Sequence, residues 1–238
     1  MYSVVIPLHN EEGNVEKLVH EIAAVFRASI KRKHEIVLID DASIDSTAAL
    51  VEKMMQNNPA ITLLQHNKKA GQSRALKTGI ERARFETIIT LDGDGQNNPA
   101  DIPAMIEAFH KQSNTGLVIG WRQKRQDPGL KTKASKAAFR VRQWILNDDT
   151  PDTGCGLKIF KQTLFVAMPF FNHIHRYMPI LTKHFGEPVT SVEISHRARE
   201  AGQSNYGTWD RLTVGFMDVI GVRWLVKRYD STVHVHEL

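Results

Sequence analysis

Apolar residues follow two alternating rhythms along the first half of the chain. Short continuous runs at Tyr2–Leu8, 35–39, 61–64 and 87–91 are each closed by polar residues, and they predict strands buried on both faces. Between them the apolar positions recur every three or four residues. Val15, Leu18, Val19, Ile22, Val25 and Phe26 predict a helix over 11–30, with Glu11 and Glu12 in its first turn, where the helix dipole favours acids. A second helix, capped by Ser43 or Asp45, runs through Leu50 and Met54 to about residue 57. A third starts at Gly71 and runs through Leu76 and Ile80, and a fourth opens at Pro99 and ends before a fifth strand at 117–119.

Strands alternating with helices imply an α/β fold whose mostly parallel central sheet is flanked by helices. Ligands of such sheets lie beyond the carboxyl ends of the strands. The polar clusters His9–Asn10–Glu11, Asp40–Asp41, His66–Asn67 and Asp92–Gly93–Asp94 therefore gather in one crevice. After Trp121 the rhythm changes. A basic segment at 122–134 contains Pro128 and Gly129 and reads as a loop; a basic amphipathic helix follows at 134–146. Beyond the stretch Asp152–Thr153–Gly154–Cys155–Gly156 come a helical region around 171–184, a strand near 189–194 and an apolar helix, Thr208–Arg228. The expected division is a catalytic domain at 1–207 and an amphipathic helix and tail at 208–238.

Composition narrows the class. With 42% hydrophobic residues the chain can bury a substantial core, and a single cysteine excludes an internal disulfide, which suits a reducing compartment. The opening residues lack a basic segment and a long enough apolar run for a signal peptide, so the expected location is cytoplasmic. A net charge of +5 admits nucleic acid, anionic lipid or phosphorylated small molecules as partners. No base-stacking aromatics interleave the basic cluster, which argues against nucleic acid. The apolar stretch at 212–226 contains Asp218 and Arg223 and falls short of the roughly 20 residues a membrane span needs.

The sharpest chemical signal is Asp92-Gly93-Asp94-Gly95-Gln96, directly after a buried strand. Two carboxylates one residue apart at a strand end can reach one hard cation, and Gln96 adds a neutral oxygen; these ligands suit Mg2+ or Mn2+. Asp-Gly pairs are also common turn formers. Of Asp40 and Asp41, one carboxylate can cap the following backbone while the other accepts from a base N–H or a ribose hydroxyl. Cys155 reads as a small packed residue.

The order VVIPLHNEEGN, VLIDDASIDST, LDGDGQNNP resembles family 2 glycosyltransferases of the GT-A fold. DTGCGLKIF, HRYMPIL and HRAREAGQSNYG further resemble the dolichol-phosphate mannose synthase branch and its bacterial polyprenyl-phosphate relatives. The likeness covers about residues 1–228. It implies that Pro7, His9, Glu11 and Asp41 line a nucleotide pocket, and that Asp92, Asp94 and Gln96 hold the metal. His9 stands where many relatives carry tyrosine. Arg122 is implied on phosphate, and Asp152 near the sugar or acceptor. Lys136 replaces a second arginine and loses its bidentate geometry. Asn205 stands in place of a lysine, leaving Arg197 and Arg199, with Arg176, to serve the acceptor phosphate.

The activity so implied is inverting transfer of a sugar from a nucleotide-sugar (GDP-mannose or a UDP-sugar) to a polyprenyl or dolichyl phosphate. The alternatives are a transferase with a soluble or polysaccharide acceptor and a nucleotide-sugar-binding protein without turnover. Thr208–Arg228 places Asp210, Arg211 and Asp218 on one side and Leu212, Phe216, Val219, Ile220, Val222, Trp224 and Val226 over much of the rest. That pattern suits an interfacial helix or one packed on the core. Peripheral attachment at the inner face of the membrane, or through a small membrane protein partner, is the corresponding expectation.

Overall fold

The computed structural model describes residues 1–111, 114–122, 143–195, 197 and 208–228, with the backbone alone over 208–216. The chain order is β1 (Tyr2–Leu8), α1 (Val15–Val25), β2 (His34–Asp40), α2 (Thr47–Asn57), β3 (Ile61–Gln65), α3 (Gln72–Arg82), β4 (Thr87–Thr90), α4 (Ile102–Lys111) and β5 (Leu117–Trp121). Then follow β6 (Lys158–Lys161), α5 (Gln162–Ala167), α6 (Met178–His184), β7 (Val189–Glu193) and α7 (Thr208–Arg228). The sheet order is β3-β2-β1-β4-β6-β5-β7. All neighbours are parallel except β6, which runs antiparallel to both β4 and β5.

This topology builds the site. Leu8 pairs with Asp40, Asp40 with Gln65, and Val5 with Thr90, so the segments after β1 to β4 leave the sheet along one edge. The reversed β6 brings its amino end, and with it the 152–158 stretch, to that same edge. One apolar core lies under α1, α2 and α4; the other lies under α3, α5 and α6 and takes in Val219 and Val222 of α7.

Several expectations are revised. Helix α1 starts at Val15, so Glu11 and Glu12 precede it and Glu16 is the acid of its first turn. Neither Ser43 nor Asp45 is the N-cap of α2; that position is Ser46, although the Asp45 carboxylate accepts from the Thr47 N–H at 2.9 Å. Strand β6 and helix α5 are additional. The region 171–184 divides into a 3-10 turn at Ile174–Arg176 and α6, with Pro179 in the first turn of α6, where its missing N–H costs nothing. The basic loop 122–134 and most of helix 134–146 fall outside the described residues. Helix α7 has two apolar faces: Val219 and Val222 are buried on the core, while Met217, Ile220 and Trp224 are exposed. Among the described residues no helix is long and apolar enough to cross a membrane.

Candidate active site

The segments after β1 and β2 are tied together by short polar contacts. Asn10 N–H donates to Ser43 Oγ at 2.9 Å, Ile44 N–H to Asn10 Oδ1 at 2.9 Å, and Glu11 N–H to Thr47 Oγ1 at 2.8 Å. His9 Nδ1 lies 2.9 Å from the Asp41 carbonyl oxygen, and buried Glu11 accepts from Asn14 Nδ2 at 2.7 Å. Pro7 is half-buried in β1, paired with Ile39. The two carboxylates after β2 divide their labour. Asp40 accepts from the Ser43 N–H at 3.1 Å. Asp41 reaches across to the segment before α3, accepting from His66 Nδ1 at 2.7 Å, Ala70 N–H at 2.8 Å and Gly71 N–H at 2.7 Å. Burial alone would raise its pKa, but the His66 bond and the two backbone N–H groups together hold it below the ordinary carboxylate value. His66 is itself held by Thr78 Oγ1, 3.0 Å from Nε2. A rigid rim of polar groups thus borders this end of the edge.

The acid pair follows β4. Asp92 is half-buried; its Oδ1 accepts from Gln72 Nε2 at 2.7 Å, and its N–H donates to Asn97 Oδ1 at 3.2 Å. Asp94 Oδ1 accepts from the Gln96 N–H at 3.1 Å, closing a turn in which Gly95 takes φ 72°, a conformation glycine adopts without strain. Burial, then the neighbouring Asp94 charge, push the Asp92 pKa up to about 6, against Lys158, Arg122 and Gln72. Two carboxylates that disfavour each other's charge in this way fit a place where a cation completes the balance. The oxygens of Asp92, Asp94 and Gln96 match a hard divalent ion. Among the described residues no three His, Cys, Asp or Glu side chains form a complete cage. With Asp92, Asp94 and Gln96 supplying ligands, such an ion would keep positions for water or phosphate, as Mg2+ and Mn2+ do.

Arg122, just past β5, meets Asp152 in a bidentate pair, Nε to Oδ2 at 2.6 Å and Nη2 to Oδ1 at 3.0 Å. Both side chains are largely buried, and the pair raises the Arg122 pKa against burial, so the guanidinium stays charged. Gly156 packs against the Asp92 carboxylate and accepts from Thr90 Oγ1 at 2.7 Å through its carbonyl. Burial lifts the Cys155 thiol to about 11, which fits a packed residue and not a nucleophile.

Of the residues expected to serve an acceptor phosphate, Arg176 is exposed on its 3-10 turn. Arg197 is occupied locally: Nη1 donates to Glu21 at 2.7 Å and Nη2 to Asn98 Oδ1 at 2.5 Å. That anchoring sets it apart from an open phosphate ligand. Lys136 and Arg199, with Asn205, lie outside the described residues. Two contributors are not expected from the sequence: Gln72, at the start of α3, and buried Lys158, which opens β6; His66 belongs to the polar cluster already expected after β3. A lysine between Leu157 and Ile159 in an apolar strand is the one signal that was legible.

Residues 3–171 match the family described as Glycosyl transferase family 2. Over 233 residues the chain is 31% identical to a dodecaprenyl-phosphate galacturonate synthase of Rhizobium johnstonii, covering 94% of this chain and 67% of that protein. It is 31% identical over 206 residues to an undecaprenyl-phosphate 4-deoxy-4-formamido-L-arabinose transferase of Edwardsiella ictaluri, covering 86% of this chain and 62% of the relative. The chain thus spans roughly two thirds or somewhat less of the curated relatives it matches. In three dimensions it is similar to glucosyl-3-phosphoglycerate synthase from Mycobacterium tuberculosis, crystallised with Mn2+ and uridine-diphosphate-glucose. That likeness has a TM-score of 0.73 at 15% identity and covers 99% of this chain and 82% of that one; it establishes the GT-A type of fold.

Proposed function

Because the chain belongs to glycosyl transferase family 2, we propose that it is an inverting, divalent-metal-dependent glycosyltransferase moving a sugar from a nucleotide-sugar to a polyprenyl phosphate. One observation carries this reading. Asp92, with Asp94 and Gln96 in the turn that follows it, leaves β4 at the strand edge, and its charge and that of Arg122, held by Asp152, act on each other. Negative ligands for a cation and a fixed cation for phosphate therefore sit side by side. The rim made by Pro7, His9, Glu11 and Asp41 is the proposed base and ribose wall. A bound Mg2+ or Mn2+ would offset the charge that collects on the departing nucleoside diphosphate.

The residues present favour an anionic acceptor. Both oxygens of Asp152 accept from Arg122, so this carboxylate holds the guanidinium in place and is poorly placed to deprotonate a hydroxyl. A lipid phosphate is already ionised at neutral pH and needs no such base. Attack in line with the leaving diphosphate inverts the anomeric centre, and the protein contributes position and charge. Arg176, Lys136 and Arg199 are the proposed phosphate ligands on the acceptor side. The relatives named for dodecaprenyl- and undecaprenyl-phosphate support this acceptor class.

Residues 208–238 are the proposed membrane-facing appendage of a catalytic unit at 1–207, on the cytoplasmic surface. Met217, Ile220 and Trp224 are exposed along α7, beside Arg223, Lys227 and Arg228. Arg223 also donates to the Ile145 carbonyl, next to Trp144, which is 84% exposed. Exposed aromatic and aliphatic groups edged by cations suit an anionic bilayer surface. The test is a radiolabelled panel of UDP- and GDP-sugars with undecaprenyl phosphate, with and without Mn2+, followed by organic extraction. Label should enter the lipid phase only with metal. Label that stays aqueous across the whole panel would sink the reading.

A further inference from the structure

Among the described residues one buried cation remains once the acid pair and the Arg122–Asp152 pair are assigned. Lys158 opens β6 and is only 3% exposed. Its neighbours Leu157 and Ile159 pack into one core and Phe160 into the other, so strand alternation directs Lys158 toward the α3 side. An aliphatic residue would fill that position, and a buried ammonium is costly unless negative groups answer it. Its Nζ donates to the Cys155 carbonyl, a neutral partner. The register pairs Lys158 with Thr90, two residues before Asp92, and Lys158 lines one small cavity together with Asp92, Gln72 and Gly156. Burial draws the lysine pKa down, while Asp92 and Asp152 are among the groups that oppose the shift. Lys158 in turn outweighs Arg122 among the positive charges acting on Asp92.

We propose that Lys158 is a positioning residue for the donor: a fixed counter-charge beneath the acid centre that disfavours a bare divalent cation and favours one arriving with an anionic nucleoside diphosphate. The assignment rests on the donor-site reading given above. With their carboxylates ionised, Asp92, Asp94 and Asp152 face two fixed cations, Arg122 and Lys158. Removing the ammonium makes the centre more negative by one charge. A lone Mn2+ is then attracted more strongly, whereas a diphosphate remains anionic even with Mn2+ bound and is repelled. A merely structural lysine would move both affinities in the same direction.

The test uses Lys158→Met, which matches the apolar lining of Leu76, Ile80 and Phe160, and Lys158→Gln, which keeps a donor for the Cys155 carbonyl without the charge. Mn2+ alone is titrated by electron paramagnetic resonance, and UDP and GDP are titrated calorimetrically in saturating Mn2+. In both variants Mn2+ alone should bind several-fold tighter, and the diphosphate that the wild type prefers about tenfold weaker. Unchanged affinities, a parallel loss of both, or wild-type behaviour of the glutamine variant overturns the assignment. So does loss of the cooperative melt in both variants, since the ammonium would then be holding the fold. A wild-type chain that binds neither diphosphate overturns the donor-site reading, and the assignment with it.

Discussion

Replacing Gly156 by alanine drives a methyl group into the Asp92 carboxylate. A Cβ built there lies 2.3 Å from Cγ and Oδ2 and 2.5 Å from Oδ1. Carbon atoms pack comfortably at roughly 3.5–4 Å, so the carboxylate must recede by about 1 Å. Its retreat is opposed by the Gln72 bond at 2.7 Å, and the Gly156 backbone is pinned by Thr90 Oγ1, also at 2.7 Å. Overpacking of this kind costs about 1–3 kcal/mol, which for a chain of this size lowers Tm by roughly 2–12 °C. A displacement of about 1 Å in a reacting constellation costs on the order of a hundredfold in turnover. The expected result is a folded protein with a modestly lower Tm, kcat/KM down by about two orders of magnitude, and a Mn2+ requirement shifted to higher concentration. Circular dichroism melts and initial rates across a Mn2+ series supply both readouts. If Tm falls while the Mn2+ response and kcat/KM stay at wild-type values, Gly156 serves packing alone and Asp92 lies outside the chemistry.

Asp94→Asn should leave the stability within about 1 kcal/mol of wild type and lower metal-dependent turnover by roughly two to three orders of magnitude; near-normal rates in saturating Mn2+ would remove Asp94 from its assigned role. Asp41→Asn should cost about 2–3 kcal/mol at pH 7, because His66 and the Ala70 and Gly71 N–H groups lose a charged acceptor. The Asp41 pKa is depressed in the folded state, so its contribution is present above the ordinary value of 3.8 and is lost as pH falls through the folded pKa. Urea midpoints of wild type and variant should therefore converge in acid, and a gap that persists to pH 2 would refute the assignment. Ile220→Ser with Trp224→Ser should weaken binding to anionic vesicles about tenfold while Mn2+-dependent nucleotide affinity and Tm hold, since both side chains are exposed. Unchanged vesicle binding would transfer attachment to another surface or to a membrane protein partner.

The parallel half of the fold was legible because β1, β2 and β4 are apolar runs buried on both faces, and even the half-buried edge strand β3 keeps an apolar run; each run ends in residues that cannot continue it. β6 was hidden for a physical reason. Its four residues, Lys158–Lys161, begin and end in lysine, and the first is buried where a strand of this length would carry an aliphatic residue. Without that strand the hydrophobic pattern alone does not return Asp152 to the edge where Arg122 stands; only the family resemblance puts the two in one site. Helix α7 was ambiguous for the opposite reason. It is apolar on two faces, and only tertiary contact reveals that Val219 and Val222 are buried while Ile220 and Trp224 are not.

The candidate site was legible to the same uneven degree. Asp92 and Asp94 announce themselves by spacing, two carboxylates one residue apart directly after a buried strand. Gln72 carries no such mark, and His66 shows only its place in the polar cluster after β3. Each is a polar residue near a helix or strand end, and each acquires meaning only from the partner it reaches, 20 residues away at Asp92 or 25 away at Asp41. The same dependence separates Arg122 from Arg197. Both are arginines following strands in basic surroundings. Arg122 is aimed inward by Asp152, whose two oxygens fix the guanidinium beside the acid pair, whereas Arg197 is drawn aside by Glu21 and Asn98. Charge read from sequence says only that a cation exists; a carboxylate elsewhere in the chain decides whether that cation stays beside the acid pair or fastens a loop.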